Sequence, residues 1–329
     1  RALRARAGAF GRADGARARP RHHPAAHRAG RRMTAAAPRA APPPTPPGDP
    51  VLSGEEFALV ARLAKEAAGL HLSPTKNRMI YSRVAKRARA HHTGSVSAYC
   101  ETLAHAPEPG EVSRLVSALT TNVTHFHREP HHFDTLRREI LPGLLARAKA
   151  GAPVRLWSAG CSEGMEAYSM AMEVLAAEPA AADRDLRILG TDIDADMIAR
   201  ARAGLYAARD LAKLPGALRE AFFSSLEEDA ERFSVRTAPR RLVRFNRLNL
   251  IGDWPMRHRF DVVFCRNVMI YFDAETRRAL WRRLHAALAP GGWVFIGHSE
   301  RLDPALADGF VLAGTTTYRR IEPRGDSAP

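Results

Sequence analysis

The sequence predicts a small all-helical domain followed by a doubly wound, mostly parallel α/β sheet with a small antiparallel β insertion. Three observations carry this. Between residues 51 and 118 apolar residues recur at helical spacing, and no strand pattern interrupts them. After Gly151 short apolar runs alternate with helical patterns, the order of a parallel sheet with crossover helices. One stretch, "ERFSVRTAPRRLVRFNRLNL", breaks that rhythm with two alternating segments around a Pro-containing turn.

The elements follow in order. "SGEEFALVARLAKEAAGL" opens with Ser53 and two acids and places Phe57, Leu59, Val60, Leu63 and Ala67 on an apolar face, with Gly69 as the C-cap. "SPTKNRMIYSRVAKRARAHH" predicts a second helix with Ser73 as N-cap and Pro74 in the first turn. "SVSAYCETLAHA" and "GEVSRLVSALTTN" supply two more. Residues 119–150 form a connecting segment and helix. In the sheet region, at 151–323, the strands are "PVRLWSAG", "LRILGTDID", "FDVVFCRN" and "GGWVFIGHS", and "FVLAGTTTYRRI" closes the pattern. The helices between them are "EAYSMAMEVLAAE", "ADMIARARAG" and "AETRRALWRRLHAALAP". The insertion is expected as a hairpin at about 231–246.

Composition narrows the class. The formal charge is +15, but residues 1–50 hold 11 Arg, no Lys and 2 Asp, a net +9, which leaves +6 for the rest. That Arg/Ala/Pro-rich segment has almost no large apolar residues, so it is expected to be a disordered tail. It lacks the apolar run of a secretory signal and the interleaved aromatics of a nucleic-acid arm. Met33 is a possible start, with the preceding residues as translated upstream sequence or a linker. No run approaches the ~18 apolar residues of a membrane span. Three distant cysteines, Cys100, Cys161 and Cys265, make no CxxC pair and point to a reducing, cytoplasmic setting. Cys161 and Cys265 are read as small buried packers, since neither has a paired histidine.

Ligands of doubly wound sheets bind at the carboxyl ends of the strands, beside the point where strand order reverses. Gly160 and Gly164 after the first strand allow close backbone approach. The loop is neither GxGxxG nor a GK[ST] phosphate cradle. Asp192 ends the second strand, where a carboxylate can accept both ribose hydroxyls of an adenosine; as a lone residue it reads equally well as a helix cap. "CRNVMIYF" offers Arg266, Asn267 and Tyr271. Separately these features also describe a dinucleotide dehydrogenase, although its diphosphate wants a tighter glycine loop than "GCSEG".

Taken together, "LTTNVTHFHREPHHF", "WSAGCSEGMEAYSMAM", "GTDID", "FNRLNL", "FDVVFCRNVMIYF" and "LAPGGWVFIGHSE" resemble, in order, the CheR family of chemotaxis receptor methyltransferases, which use S-adenosylmethionine. The likeness runs from about Phe57 to Ile321. It implies a Rossmann-like methyltransferase sheet behind an all-helical domain. By matching positions it implies cofactor contacts from Asn122, Thr124, Arg128, Glu166, Asp192, Asn249, Leu250, Arg266 and Asn267. Arg128 suits the methionine carboxylate, because guanidinium binds carboxylate through two parallel hydrogen bonds. Glu166 is placed at the methionine end, Asp192 at the ribose, and Asn249 and Leu250 at the adenine.

The same resemblance implies methyl transfer to receptor glutamates, giving glutamyl 5-O-methyl esters. A glutamate has a pKa of about 4.3 and is ionised at neutral pH, so no general base is required. Orientation is left as the catalytic task, worth up to ~7–11 kcal/mol. Tyr271 is expected nearest the transferring methyl, with Arg128 holding the cofactor. Arg83 and Arg87, four apart and so on one helix face, are expected to dock acidic receptor helices. The insertion region "SSLEEDAERFSV" has no glycine, so gripping of a receptor tail peptide is not expected. His125 and His127 are read as packed rings, His131 and His132 as helix-surface residues, and no metal site is expected. A nucleic-acid methyltransferase, suggested by the basic composition, lacks support because "RNVMIY" is not the Asn/Asp-Pro-Pro-aromatic motif of base methylation. A non-catalytic cofactor-binding module stays open.

Overall fold

The computed structural model describes residues 50–227, 229–303, 305 and 309–321. The expected tail lies outside these, apart from Pro50.

The first helix, α1 (Gly54–Ala68), starts on a reciprocal cap. Ser53 Oγ accepts the Glu56 amide at 3.2 Å, and a Glu56 carboxylate oxygen accepts the Ser53 amide at 2.8 Å. Gly69 ends the helix at φ +70, as expected. A side chain is excluded there by that backbone angle and by space, since a Cβ would lie 2.8 Å from Ile251 Cγ2. Pro74–Lys76 make a 3₁₀ turn before α2 (Asn77–Ala90), so Ser73 precedes that turn and gives no side-chain cap. Helices α3 (Val96–His105) and α4 (Glu111–Leu119) complete the domain, whose buried face includes Val60, Ala64, Ile80, Val84, Tyr99 and Leu115.

Glu111 is fully buried at the start of α4 and corrects one expectation. Its carboxylate accepts Nε and Nη2 of Arg87, both at 2.6 Å, the Tyr99 hydroxyl at 2.6 Å and Arg114 Nε at 2.7 Å. Burial alone pushes this carboxyl up, but these donors outweigh it and bring it down to about 2. Arg87 is therefore a half-buried structural partner, with its Nε and Nη2 engaged by Glu111. The acid that claims it lies 24 residues away and was not visible to a local reading.

A continuous helix crosses to the sheet: α5 (Pro130–Thr135), a π turn at Leu136–Ile140, and α6 (Leu141–Lys149). Then come β1 (Val154–Ala159), α7 (Met165–Ala177), β2 (Leu186–Asp192), α8 (Ala195–Ala203), β3 (Leu205–Ala207), α9 (Gly216–Phe222), β4 (Phe223–Ser225) and β5 (Arg232–Val235). They are followed by α10 (Thr237–Leu242), β6 (Val243–Arg247), β7 (Phe260–Cys265), α11 (Ala274–Ala287), β8 (Leu288–Ile296), β9 (Phe310–Gly314) and β10 (Thr317–Arg320). The main sheet has the order β6-β2-β1-β7-β8-β10-β9, parallel through β8 and antiparallel beyond it. Strand order reverses between β1 and β7, which fixes the expected ligand position.

The insertion differs from the hairpin expected at 231–246. It is a three-stranded sheet, β3-β5-β4, beginning at Leu205 and ending at Val235. Val243–Arg247 belongs to the main sheet, pairing in parallel with β2. Pro239 sits in the first turn of α10, where amides have no helical partner and proline is tolerated.

Successive residues of a strand face opposite sides. Val262 and Phe264 enter one core with α7 and the small sheet, while Val263 and Cys265 enter another with α11 and the helical domain. The helical domain is thus a layer on one sheet face. It is tied there by Asn249 Nδ2 donating to Ala67 O at 2.8 Å, by His71 N donating to Tyr271 O at 2.7 Å, and by a Lys65–Asp273 ion pair. Its exit segment is delivered to the carboxyl ends of β1, β2 and β7.

Candidate active site

One cavity of about 470 Å³ opens at those strand ends, within the range of small-molecule sites. Asn122, Thr124, Arg128, Glu166, Asp192, Asn249, Leu250, Arg266, Asn267, Tyr271 and Arg83 all line it. Arg87 does not.

The loop after β1 turns at Gly160, φ +82, where a Cβ would lie 2.4 Å from Val268 Cγ2. Backbone therefore lines this wall. Asp192 is held by two amides: Ser162 N donates to Oδ2 at 2.8 Å and Asp194 N to Oδ1 at 2.9 Å. Each oxygen keeps a lone pair for a further hydroxyl. Burial raises this carboxyl above its usual range. Asn122 Nδ2 donates to Asp194 Oδ2 at 3.1 Å, and Asn122 O accepts Ser162 Oγ at 3.2 Å, which fastens the exit segment to both loops.

Glu166, in the first turn of α7, accepts Ser158 Oγ at 2.7 Å and pairs with Arg266 Nε at 3.1 Å. Burial raises its carboxyl despite that cation. Arg266 is buried, lies over the rings of Phe133 and Phe264, and donates Nη1 to His132 Nδ1 at 3.3 Å. A guanidinium only donates, so Nδ1 accepts and the ring proton sits on Nε2, directed at Thr316 Oγ1 2.9 Å away. His132 is fully buried, which corrects its reading as a surface residue, and burial pushes it down to about 3. His131 is exposed, as expected. His127 packs on Phe133 and bonds Glu173 Oε1 at 2.9 Å, anchoring the segment to α7.

Arg128 gives Nη1 to Val123 O at 2.9 Å. Asn249 is less free than expected: its Nδ2 holds Ala67 O, and its Oδ1 accepts Ile251 N at 3.2 Å. One N–H and one lone pair remain on that amide. Tyr271 lines the cavity, and its hydroxyl meets the Thr121 backbone. The sequence reading missed Glu300, although "GHSE" was among the motifs. This buried carboxylate accepts the amides of Gly297, Asn267, Met269 and Ile270, the last three at 2.9, 2.7 and 3.3 Å. It shapes the loop that carries Asn267 and Tyr271.

Glu129, His131 and His132 bring one ligand atom each within 4.8 Å of one another. The Nδ1 lone pair of His132 is already taken by a cation, Arg266, and Glu129 Oε1 is 3.0 Å from His298 Nδ1. Six non-glycine residues among those described have left-handed backbone, and four of them, His127, Glu129, Ser162 and Asn267, stand around this site. Such strain concentrates where geometry is functional. The cavity presents an acid pair of lone pairs at β2, an arginine on the exit segment and aliphatic walls from Ile193 and Leu250. That set fits a zwitterionic nucleoside.

Residues 122–319 match the family described as CheR methyltransferase, SAM binding domain, and residues 55–120 match CheR methyltransferase, all-alpha domain. A "Probable chemotaxis protein methyltransferase" of Rhizobium etli is 44% identical over 253 residues, covering 77% of this chain and 94% of that protein. "Chemotaxis protein methyltransferase 2" of Pseudomonas aeruginosa is 37% identical over 252 residues, 75% of this chain and 86% of that one. "Chemotaxis protein methyltransferase" of Escherichia coli is 35% identical over 269 residues, 81% and 91%. The chain belongs to the CheR methyltransferase family, and its cofactor is S-adenosylmethionine.

Proposed function

We propose that the protein methylates glutamate side chains on the cytoplasmic helices of chemoreceptors, giving glutamyl 5-O-methyl esters in chemotaxis adaptation. The observation that carries this is the charge at the cavity mouth. Lys76, just before α2, and Arg83 of α2 line it, as do Tyr271 and Arg128. An anionic acceptor is drawn to such a mouth, mainly through on-rate and selectivity. The relatives' shared description as chemotaxis methyltransferases supports the pathway.

Bound S-adenosylmethionine supplies an electrophilic methyl on a sulfonium. The chain's residues bind, orient and exclude water. Arg128 would hold the methionine carboxylate, Glu166 the ammonium and Asp192 the ribose hydroxyls. Leu250 and Asn249 would meet the adenine. Arg266 and Asn267 close the pocket. A carboxylate acceptor arrives ionised. The titratable groups deepest in the site are already committed: Glu166 to Ser158 and Arg266, Asp192 to two amides. Tyr271, on the cavity wall, orients the incoming oxygen in this reading, its O–H turning from the Thr121 carbonyl to the acceptor carboxylate. We assign docking to Lys76, in the turn before α2, and Arg83 of α2, in place of the expected Arg83/Arg87 pair. Esterification removes one negative charge per site and changes repulsion between packed receptor helices. The partner sets a cytoplasmic location. Among the described residues no helix is long and apolar enough to cross a membrane. The absence of glycine between Ser224 and Val235 supports docking without a receptor tail peptide.

The test offers methyl-labelled S-adenosylmethionine with a receptor cytoplasmic fragment, DNA or RNA. Base-labile label on the receptor fragment is expected. Label on nucleic acid, base-stable label, or cofactor binding with no transfer contradicts the proposal.

A further inference from the structure

Three large apolar side chains on the cavity wall remain exposed: Met79 (44 %), Val123 (72 %) and Ile270 (49 %). A single exposed apolar residue needs no explanation. These three line one cavity from separate pieces of chain, and Thr121 ties those pieces together. Arg83 donates to Thr121 Oγ1, and Met79 lies one turn before Arg83 on the same face of α2. Tyr271 exchanges two hydrogen bonds with the Thr121 backbone, and Ile270 is its neighbour. Val123 follows two residues after Thr121, its carbonyl held by Arg128 at 2.9 Å. An apolar rim thus surrounds the place where the acceptor enters, and Lys76 and Arg83 stand beside it.

We infer that this rim reads an apolar side chain one helical turn from the accepting glutamate, and so selects which receptor glutamates are methylated. The inference rests on the glutamate reading above. Residues three or four apart share a helix face. A glutamate directed at Tyr271 therefore lays its neighbours one turn away over Val123, Ile270 and Met79. The occupant is an amphipathic acidic helix: its carboxylates suit Lys76 and Arg83, and its apolar stripe suits the rim. Val123, the most exposed of the three, is the main determinant.

The experiment uses two helical host peptides, each with one glutamate, that differ only in carrying Leu or Gln at the positions three before and four after it. Ester formation by the full chain is compared for wild type, Val123→Ser, Ile270→Ser and Met79→Ser. Serine at such exposed positions keeps the fold, which S-adenosylhomocysteine titration of each variant verifies. The Leu helix is expected to be preferred tenfold or more in kcat/KM, with the preference falling below threefold in Val123→Ser. Equal use of both helices, or a preference that survives all three substitutions, overturns the inference. Labelling of neither helix overturns the glutamate reading, and the inference with it. A concentration-dependent dimer that Val123→Ser dissolves assigns the rim to a second copy and also overturns it.

Discussion

The Tyr271 hydroxyl donates to the Thr121 carbonyl at 3.2 Å and accepts the Thr121 amide at 3.3 Å. One side chain of the sheet rim thereby fixes the backbone where the helical domain ends. Tyr271→Phe keeps the ring and removes both bonds, each worth about 0.5–1.5 kcal/mol net. Turnover on receptor fragments is expected to fall about tenfold, with S-adenosylhomocysteine affinity changed less than about threefold. Steady-state kinetics beside calorimetry checks this; unchanged turnover contradicts a role for the hydroxyl.

Arg83 and Arg87 separate cleanly. Removing Arg87 takes two of the four hydrogen bonds from buried Glu111 and leaves Arg114 and Tyr99 to hold its charge, at about 1–3 kcal/mol. Arg87→Ala is therefore expected to lower the urea midpoint through the weakened hold on Glu111. Arg83→Glu, at the cleft mouth, is expected to slow receptor methylation most at low salt, where charge is least screened. Denaturation curves and a salt series of initial rates distinguish the two. Unchanged methylation at low salt removes Arg83 from docking.

Two buried groups give stability a defined pH dependence. His132 is pushed down to about 3 in the folded protein from an ordinary 6.5, so the unfolded chain binds its proton first. Stability from this group is present above pH 6.5 and is lost as pH falls toward 3. Glu111, lowered from 4.5 to about 2, adds a second loss that begins below pH 4.5. Urea midpoints are expected to decline from pH 6.5 and more steeply below 4.5. His132→Asn is expected to flatten the upper part only. A flat profile from pH 7 to 5 in the wild type contradicts the assignment.

Glu300→Gln replaces a carboxylate that accepts four amides with a group whose NH₂ end must face donors. Each buried amide left without an acceptor costs about 1–3 kcal/mol. S-adenosylhomocysteine affinity is expected to drop tenfold or more as the Asn267–Tyr271 loop shifts. Calorimetric titration measures this, and wild-type affinity in the variant contradicts it.

The order of strands and helices was legible because periodicity is a local signal. Ser53 and Gly69 mark α1 through neighbours within four residues. The insertion was misplaced because β3, β4 and β5 are three or four residues long, too short for alternation to show, whereas Val243–Arg247 alternates well and looks like half a hairpin. The residues proposed to hold the cofactor were read from family motifs, and the structure gathers them on one cavity wall. What stayed hidden was long-range: Glu111 reaching back to Arg87, His132 buried against Arg266 134 residues away, and Glu300 folding under Asn267. Nothing in the spacing of "REPHHF" separates an exposed His131 from a buried His132.

The most direct test is a calorimetric titration of the full chain with S-adenosylhomocysteine, comparing wild type with Arg128→Ala and Asp192→Asn. Arg128 comes from the piece of chain that leaves the helical layer, Asp192 from the tip of β2. Each substitution is expected to weaken binding about 10- to 100-fold, as loss of hydrogen bonds to a charged group implies. Full affinity in Arg128→Ala beside a collapse in Asp192→Asn would mean that a single wall holds the nucleoside, and shared custody by two distant segments would be wrong.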